Sequence, residues 1–280
     1  MRISRRGFIQ ATSSGAIVTA LAGATTRKAN DVIFLGPDKI RLTRLAIGLG
    51  TNAGGVQRQM GLQGVADHLK FGFDQGLFFW DTADNYGTHP HVKQALKSLP
   101  REKVTILTKS SVTTATQMKA SLDRCRQELG TDYIDIMLLH GVNSANWPQQ
   151  RQGAMDVLSE AREKGIIRTH GISVHSLEAL QTAAKTPWAR VELVRINPAG
   201  LRMDSTDPSV VVPVLRETKA AGKGVIAMKV LGEGGLRNRV DEALRFVLGL
   251  DCVDCLTIGA ANRNELADII RRIPENSPAA

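Results

Sequence analysis

The sequence predicts a single-domain α/β protein, a closed (β/α)8 or TIM barrel, and three observations carry that prediction. Strand-like and helix-like stretches alternate eight times from residue 38 onward. The strand-like stretches 76–80, 104–108 and 133–139 are apolar almost throughout, as strands buried on both faces of a parallel sheet must be. Each of these three delivers a titratable group at its carboxyl end: Asp81, Lys109 and His140 in turn. That is the end of a parallel barrel where reactive groups gather. An open doubly wound sheet is the competing architecture, but no Gly-x-Gly-x-x-Gly follows the first strand.

Residues 1–30 stand apart as a leader and linker, leaving 31–280 for the barrel. Ser4-Arg5-Arg6-Gly7-Phe8-Ile9-Gln10 has a twin-arginine pattern, and residues 9–22 are weakly apolar. Ala20-Leu21-Ala22 and Ala22-Gly23-Ala24 then offer small residues at cleavage spacing. This order of features predicts a twin-arginine signal peptide. It implies an encounter with the twin-arginine translocation machinery and a periplasmic or otherwise exported destination. A stable membrane anchor is not expected, because a spanning helix needs about 20 apolar residues and this run is short and interrupted. The formal net charge of +9 is scattered along the chain, and aromatics make up only 4% of it. No basic run is interleaved with aromatics, so nucleic acid is not an expected partner, whereas anionic ligands suit the positive field.

The barrel units follow in order. Residues 40–42 and 45–51 form the opening strand region with a glycine-rich end, and 65–75 is a helix with Val65, Leu69 and Phe73 on one face. The strand before Asp81 closes the first crossover. A helix over 91–99 is stopped by Pro100, the strand ending at Lys109 follows, and a helix over 115–129 ends at Gly130. After His140 comes a longer loop through Pro148, then a helix over 153–164 and a strand over 166–173. Ser176 caps the next helix. Strands over 191–197, 224–229 and 255–259 alternate with helices over 210–221, 240–248 and 264–272.

A carboxylate at the end of a buried strand must be paired, since burying it alone would be very costly, so Asp81 needs a cation nearby. Tyr86 lies five residues on, in a loop closed by Gly87, where its hydroxyl can point over the strand end. Cys252 and Cys255, three apart on entry to a strand, point to opposite faces and read as core residues. His89 and His91 have ligand-like spacing, but no third ligand is matched to them, so they read as solvated loop residues and no metal is expected. Asn52, Gly141 and Trp147 are candidate pocket-lining residues.

These motifs resemble the aldo-keto reductase family across nearly the whole chain after the leader. The likeness rests on Gly48-Leu49-Gly50-Thr51, Asp81-Thr82-Ala83-Asp84-Asn85-Tyr86-Gly87, Thr108-Lys109, Leu138-Leu139-His140, Gly171-Ile172-Ser173 and Leu256-Thr257-Ile258-Gly259. The resemblance implies Tyr86 as general acid/base, supported by Asp81, Lys109 and His140. It implies hydride transfer between a nicotinamide cofactor, NADP(H) rather than NAD(H), and a small-molecule carbonyl or sugar substrate. Cofactor contacts are implied at Gly50, Thr51, Asp81, Ser173, Met228, Lys229, Leu231, Gly232, Ala260, Asn262, Arg263 and Glu265. Departures from the family pattern are Val174, where Asn often follows the serine, and Leu193, where Gln is frequent. Two other classes remain open on these departures: a periplasmic small-molecule binding barrel and a subunit of an exported redox complex.

Overall fold

A computed structural model describes residues 26–278. The twin-arginine motif and both cleavage sites lie outside the described residues. Two short strands, β1 (Val32–Leu35) and β2 (Ile40–Thr43), form an antiparallel hairpin. The barrel strands are β3 (Leu45–Gly48), β4 (Phe79–Asp81), β5 (Thr105–Ser110), β6 (Ile134–Val142), β7 (Ile167–Val174), β8 (Val191–Arg195), β9 (Gly224–Met228) and β10 (Cys255–Ile258). They are all parallel and close in sequence order, with β10 pairing β3.

Helices cross between the strands: α1 (Gly55–Gln59) and α2 (Gly61–Asp74), α3 (His89–Leu96), α4 (Ala115–Leu129), α5 (Trp147–Gln150) and α6 (Gln152–Glu163). The remaining four are α7 (Leu177–Lys185), α8 (Pro208–Ala220), α9 (Val240–Leu248) and α10 (Arg263–Glu275). Their ends carry the expected chemistry. Ser176 accepts a hydrogen bond from the Ala179 amide, and Gly130, in the left-handed region at φ 66°, ends α4. Among the described residues no helix is long and apolar enough to cross a membrane.

Alternation along the strands builds two apolar layers. Inward residues such as Phe79, Leu107, Ile136, Leu138 and Leu193 fill the barrel, and outward ones such as Trp80, Ile106 and Leu139 pack beneath the helices. The pairing register is staggered: Asp81 lies beside Leu107, Lys109 beside Leu138, and Leu138 beside Gly171. Paired residues of a parallel sheet share a face, so the inward residue ending each strand stands one step above that of its neighbour.

The opening strand region proves to be two things. Residues 40–42 lie outside the barrel wall, paired to 32–35, a strand that the sequence did not reveal. The reason is packing at the amino-terminal end of the barrel. Leu35, Ile40 and Leu42 are buried in the interior cluster and plug that end, with Leu35 seated so close to Gly224 that a Cβ there would lie 2.6 Å from its Cγ. Asp38 in the hairpin turn accepts hydrogen bonds from Arg190 (2.5 and 2.6 Å), Arg162 (2.7 Å) and Thr169 (2.7 Å). Burial pushes Asp38 up, but these donors outweigh it and hold the carboxyl at about 2.

Candidate active site

At the carboxyl ends of the strands, Asp81 and Lys109 form a buried pair. Lys109 Nζ donates to Asp81 Oδ1 at 2.5 Å and to the Thr82 carbonyl at 2.7 Å, and Thr257 donates to Asp81 Oδ2 at 2.9 Å. Both carboxylate oxygens are thereby engaged, which lets the charges be buried. Burial alone pushes Lys109 down, but Asp81 and Tyr86 reverse this and raise it, so it stays an ammonium. Thr257 belongs to a motif quoted above but was given no role there; its inward place two residues beyond Cys255 is the signal that could have assigned one.

Tyr86 ends a 3-10 turn, Asp84–Tyr86, whose exit is set by Gly87 at φ 66°. The turn is tied down by Ser110 donating to Asp84 at 2.7 Å, and by Arg58, which donates to the Tyr86 carbonyl. The phenol ring rests on Gly50: a Cβ there would lie 2.4 Å from Cε2 and 3.0 Å from the hydroxyl. On the other side, Lys109 Nζ is 4.8 Å from the ring centroid. His140 stands edge-on to Tyr86 with centroids 5.7 Å apart, and His175 edge-on to His140 at 5.8 Å.

His140 is driven down to about 2, first by burial and then by Lys109, His175, Arg151 and Lys229. His175 falls to about 3 by burial, then by Arg195 and Lys229. Both imidazoles are therefore neutral at pH 7. A neutral imidazole keeps one N–H to donate, which suits polarising a carbonyl oxygen without competing for its proton. Asp81, Tyr86, Lys109 and His140 thus come together as the sequence predicts.

The residues named for a cofactor fall along the same face. Ser173 Oγ is buried with no hydrogen-bond partner among the described residues, a state that a carboxamide would relieve. Met228 ends β9 facing inward beside Arg195. Lys229 takes a left-handed conformation at φ 57° and pairs with Glu233, and the Gly232 amide donates to the Lys229 carbonyl at 2.8 Å, closing a tight turn that contains Leu231. Thr51 accepts a hydrogen bond from buried Gln57 at 3.2 Å, and Gln57 reaches the Ala260 carbonyl at 3.5 Å. Asn262 and Glu265 are reciprocal caps of α10, and Glu265 also accepts from the Ala261 amide. Arg263 is exposed, 3.9 Å from Asp67. Gly50 serves the Tyr86 ring by its lack of a side chain.

Several other expectations need correction. Leu193 lies inside the barrel below its mouth, 1% exposed, and the inward residue two further along that reaches the mouth is Arg195, which the sequence reading passed over. Val174 packs outward beneath the helices. His89 and His91 are buried on α3 rather than solvated on a loop; His89 bridges Thr108 and Glu128 at 2.8 Å each, a structural role. Trp147 is fully buried against Trp188, away from any opening. Cys252 and Cys255 are buried free thiols, and no metal-binding cluster exists among the described residues.

The model of the aldo/keto reductase family matches residues 46–250. A probable aldo-keto reductase 1 of Glycine max is 27% identical over 217 residues, covering 72% of this chain and 60% of its own length. The L-glyceraldehyde 3-phosphate reductase of Escherichia coli K12 is 27% identical over 226 residues, covering 74% and 63%. The chain thus spans less than two thirds of these relatives' length. Among solved structures, a putative aldo-keto reductase from Pseudomonas aeruginosa superposes with a TM-score of 0.74 at 20% identity, over 89% of this chain and 97% of that one. An aldo/keto reductase from Klebsiella pneumoniae, in complex with NADP and acetate, gives 0.68 at 20% identity over 86% and 89%.

Proposed function

The chain belongs to the aldo/keto reductase family, and from that membership we propose that it reduces a small aldehyde, ketone or sugar carbonyl with NADPH, or less readily NADH. The observation that carries this reading is the convergence of Tyr86, neutral His140 and the Lys109–Asp81 pair at one barrel mouth. The unpartnered Ser173 hydroxyl, the turn at Gly232 and the capped start of α10 with Arg263 fit a nicotinamide dinucleotide lying across the strand ends. The Klebsiella pneumoniae relative's complex with NADP and the positive field of this chain favour the phosphorylated form.

When bound, the cofactor supplies the hydride received by the carbonyl carbon. His140 donates a hydrogen bond to the carbonyl oxygen and fixes its direction. Tyr86 delivers the proton that the oxygen takes up. Lys109, held by Asp81, faces the phenolate left behind and stabilises it by charge. Positioned proton transfer of this kind contributes roughly 10²–10⁴-fold.

Titrating the purified protein with NADPH and NADH, by fluorescence quenching, tests the cofactor reading. Tight NADPH binding is expected, and no binding of either nucleotide would leave a barrel that holds some other small molecule. We further propose that Arg5 and Arg6 direct export of the folded, cofactor-loaded protein. The Arg5→Lys, Arg6→Lys double variant should then accumulate inside the cell, and its normal appearance in the periplasmic fraction would refute this.

A further inference from the structure

The tetrad draws Asp81, Lys109 and His140 from three strand ends, and among the inward residues at the other ends Arg195 is the one that carries a charge. It stands at the end of β8, in register with Met228 on β9 and one step beyond the Ser173–Leu193 pair. Its partner is Asp204, in the loop that follows. Asn197 folds that loop back: its amide donates to the carbonyls of Leu201 (2.7 Å) and Lys229 (3.0 Å), and its oxygen accepts from the amides of Ala199 and Leu201.

The pair is incompletely satisfied. Asp204 has a side chain 1% exposed, and Arg195 Nη1 lies 3.4 Å from its Oδ1. Yet neither Asp204 oxygen receives a hydrogen bond among the described residues, and neither does Arg195 Nε donate one. The Arg195 side chain is 20% exposed at the end of β8, so it is not sealed off by its partner. The surroundings are cationic. Among the described residues the Arg151 side chain bonds only to the carbonyls of His140 and Ser111, and Glu233 is shared between Lys229 and Arg202. His175 packs edge-on against His140, and Arg195 is the charge that weighs most on it.

We propose that Arg195, backed by Asp204, forms an anion subsite that selects carbonyl substrates carrying a carboxylate at the end remote from the reacting group. This rests on the reductase reading and names its substrate class. A guanidinium offers a planar pair of donors that a carboxylate matches, in a half-buried setting where charged hydrogen bonds are strong. The carbonyl would meet Tyr86 and His140 while the carboxylate meets Arg195. A single guanidinium already facing one acid suits a monoanion better than a phosphate dianion.

The test compares succinic semialdehyde with butanal, two four-carbon aldehydes differing in that terminal charge, by kcat/KM. The wild type should prefer the semialdehyde, and Arg195→Gln should shrink the preference about tenfold or more, the worth of a charged hydrogen bond. Arg195→Lys, which keeps the cation and guards against misfolding, should retain part of it. A wild type with no preference, or a preference that survives Arg195→Gln, would overturn the subsite. So would Arg195→Gln weakening NADPH binding while leaving the ratio alone, for the arginine would then serve the cofactor. Calorimetric titration with succinate separates this proposal from the reductase reading. If neither aldehyde is reduced, that reading fails, and the subsite still stands only if wild type binds succinate and Arg195→Gln binds it more weakly. No binding to wild type overturns it.

Discussion

Gly50 and Tyr86 show how a single missing side chain sets the position of a phenol. The phenol lies where a Cβ at position 50 would be, while the Lys109 charge flanks its other side. Gly50→Ala should therefore leave the barrel folded and push the hydroxyl away from His140. A misplacement of about 1 Å costs on the order of 100-fold in rate, so kcat should fall steeply with little change in melting temperature; an unaltered kcat would show that the ring has room to move. In the sequence the tetrad was legible because each member sits at a recognisable strand end or turn. Gly50 was legible only as a glycine beside a site. Its service to Tyr86 depends on a contact between residues 36 positions apart, which no local pattern records. Arg195 was missed for a different reason: inside the strand read over 191–197 no local pattern tells which face it takes, and only the register with Met228 places it inward.

Among the elements, the hairpin of β1 and β2 departs most from what the sequence predicts, and Asp38 is what fastens it. The eight barrel strands were legible from their apolar runs, because a strand buried on both faces has a composition of its own. The hairpin has no such signature: Val32 and Phe34 are exposed while Leu35 plugs the barrel, so the segment reads as irregular. Its place is fixed by a long-range ion cluster with Arg162 and Arg190. Asp38→Asn removes the charge that three donors surround and should destabilise the fold by about 2 kcal/mol, less than a fully buried cluster would lose because its arginines are partly exposed. Chemical denaturation measures this, and a loss well under 1 kcal/mol would mean that apolar burial alone holds the plug. Because the folded carboxyl lies at about 2, this contribution is complete above the unfolded value near 3.8 and is lost as pH falls through 2.

Across the whole molecule, all six histidines are held below their ordinary value, chiefly by burial, with His140 at about 2, His175 at about 3 and His170 at about 4. Below pH 6.5 the unfolded chain takes up protons that the folded chain refuses, so stability must fall as the solution is acidified. Glu192, raised to about 7, and Asp204, raised to about 6, act in the opposite sense, but they are two groups against six. Thermal melting should shift downward between pH 7.5 and pH 5, and a flat or rising profile would contradict the buried, neutral state of these imidazoles. The same state keeps His140 neutral throughout this range, as its proposed role as a donor requires.

The central claim is that Tyr86 moves the proton in a nicotinamide-dependent carbonyl reduction. The most direct measurement is the single-turnover rate of NADPH oxidation with an aldehyde, for wild type and Tyr86→Phe, alongside NADPH affinity for both. The rate should be lower by roughly 10²–10⁴-fold in the variant, with affinity nearly unchanged. A Tyr86→Phe protein that turns over at the wild-type rate would contradict it.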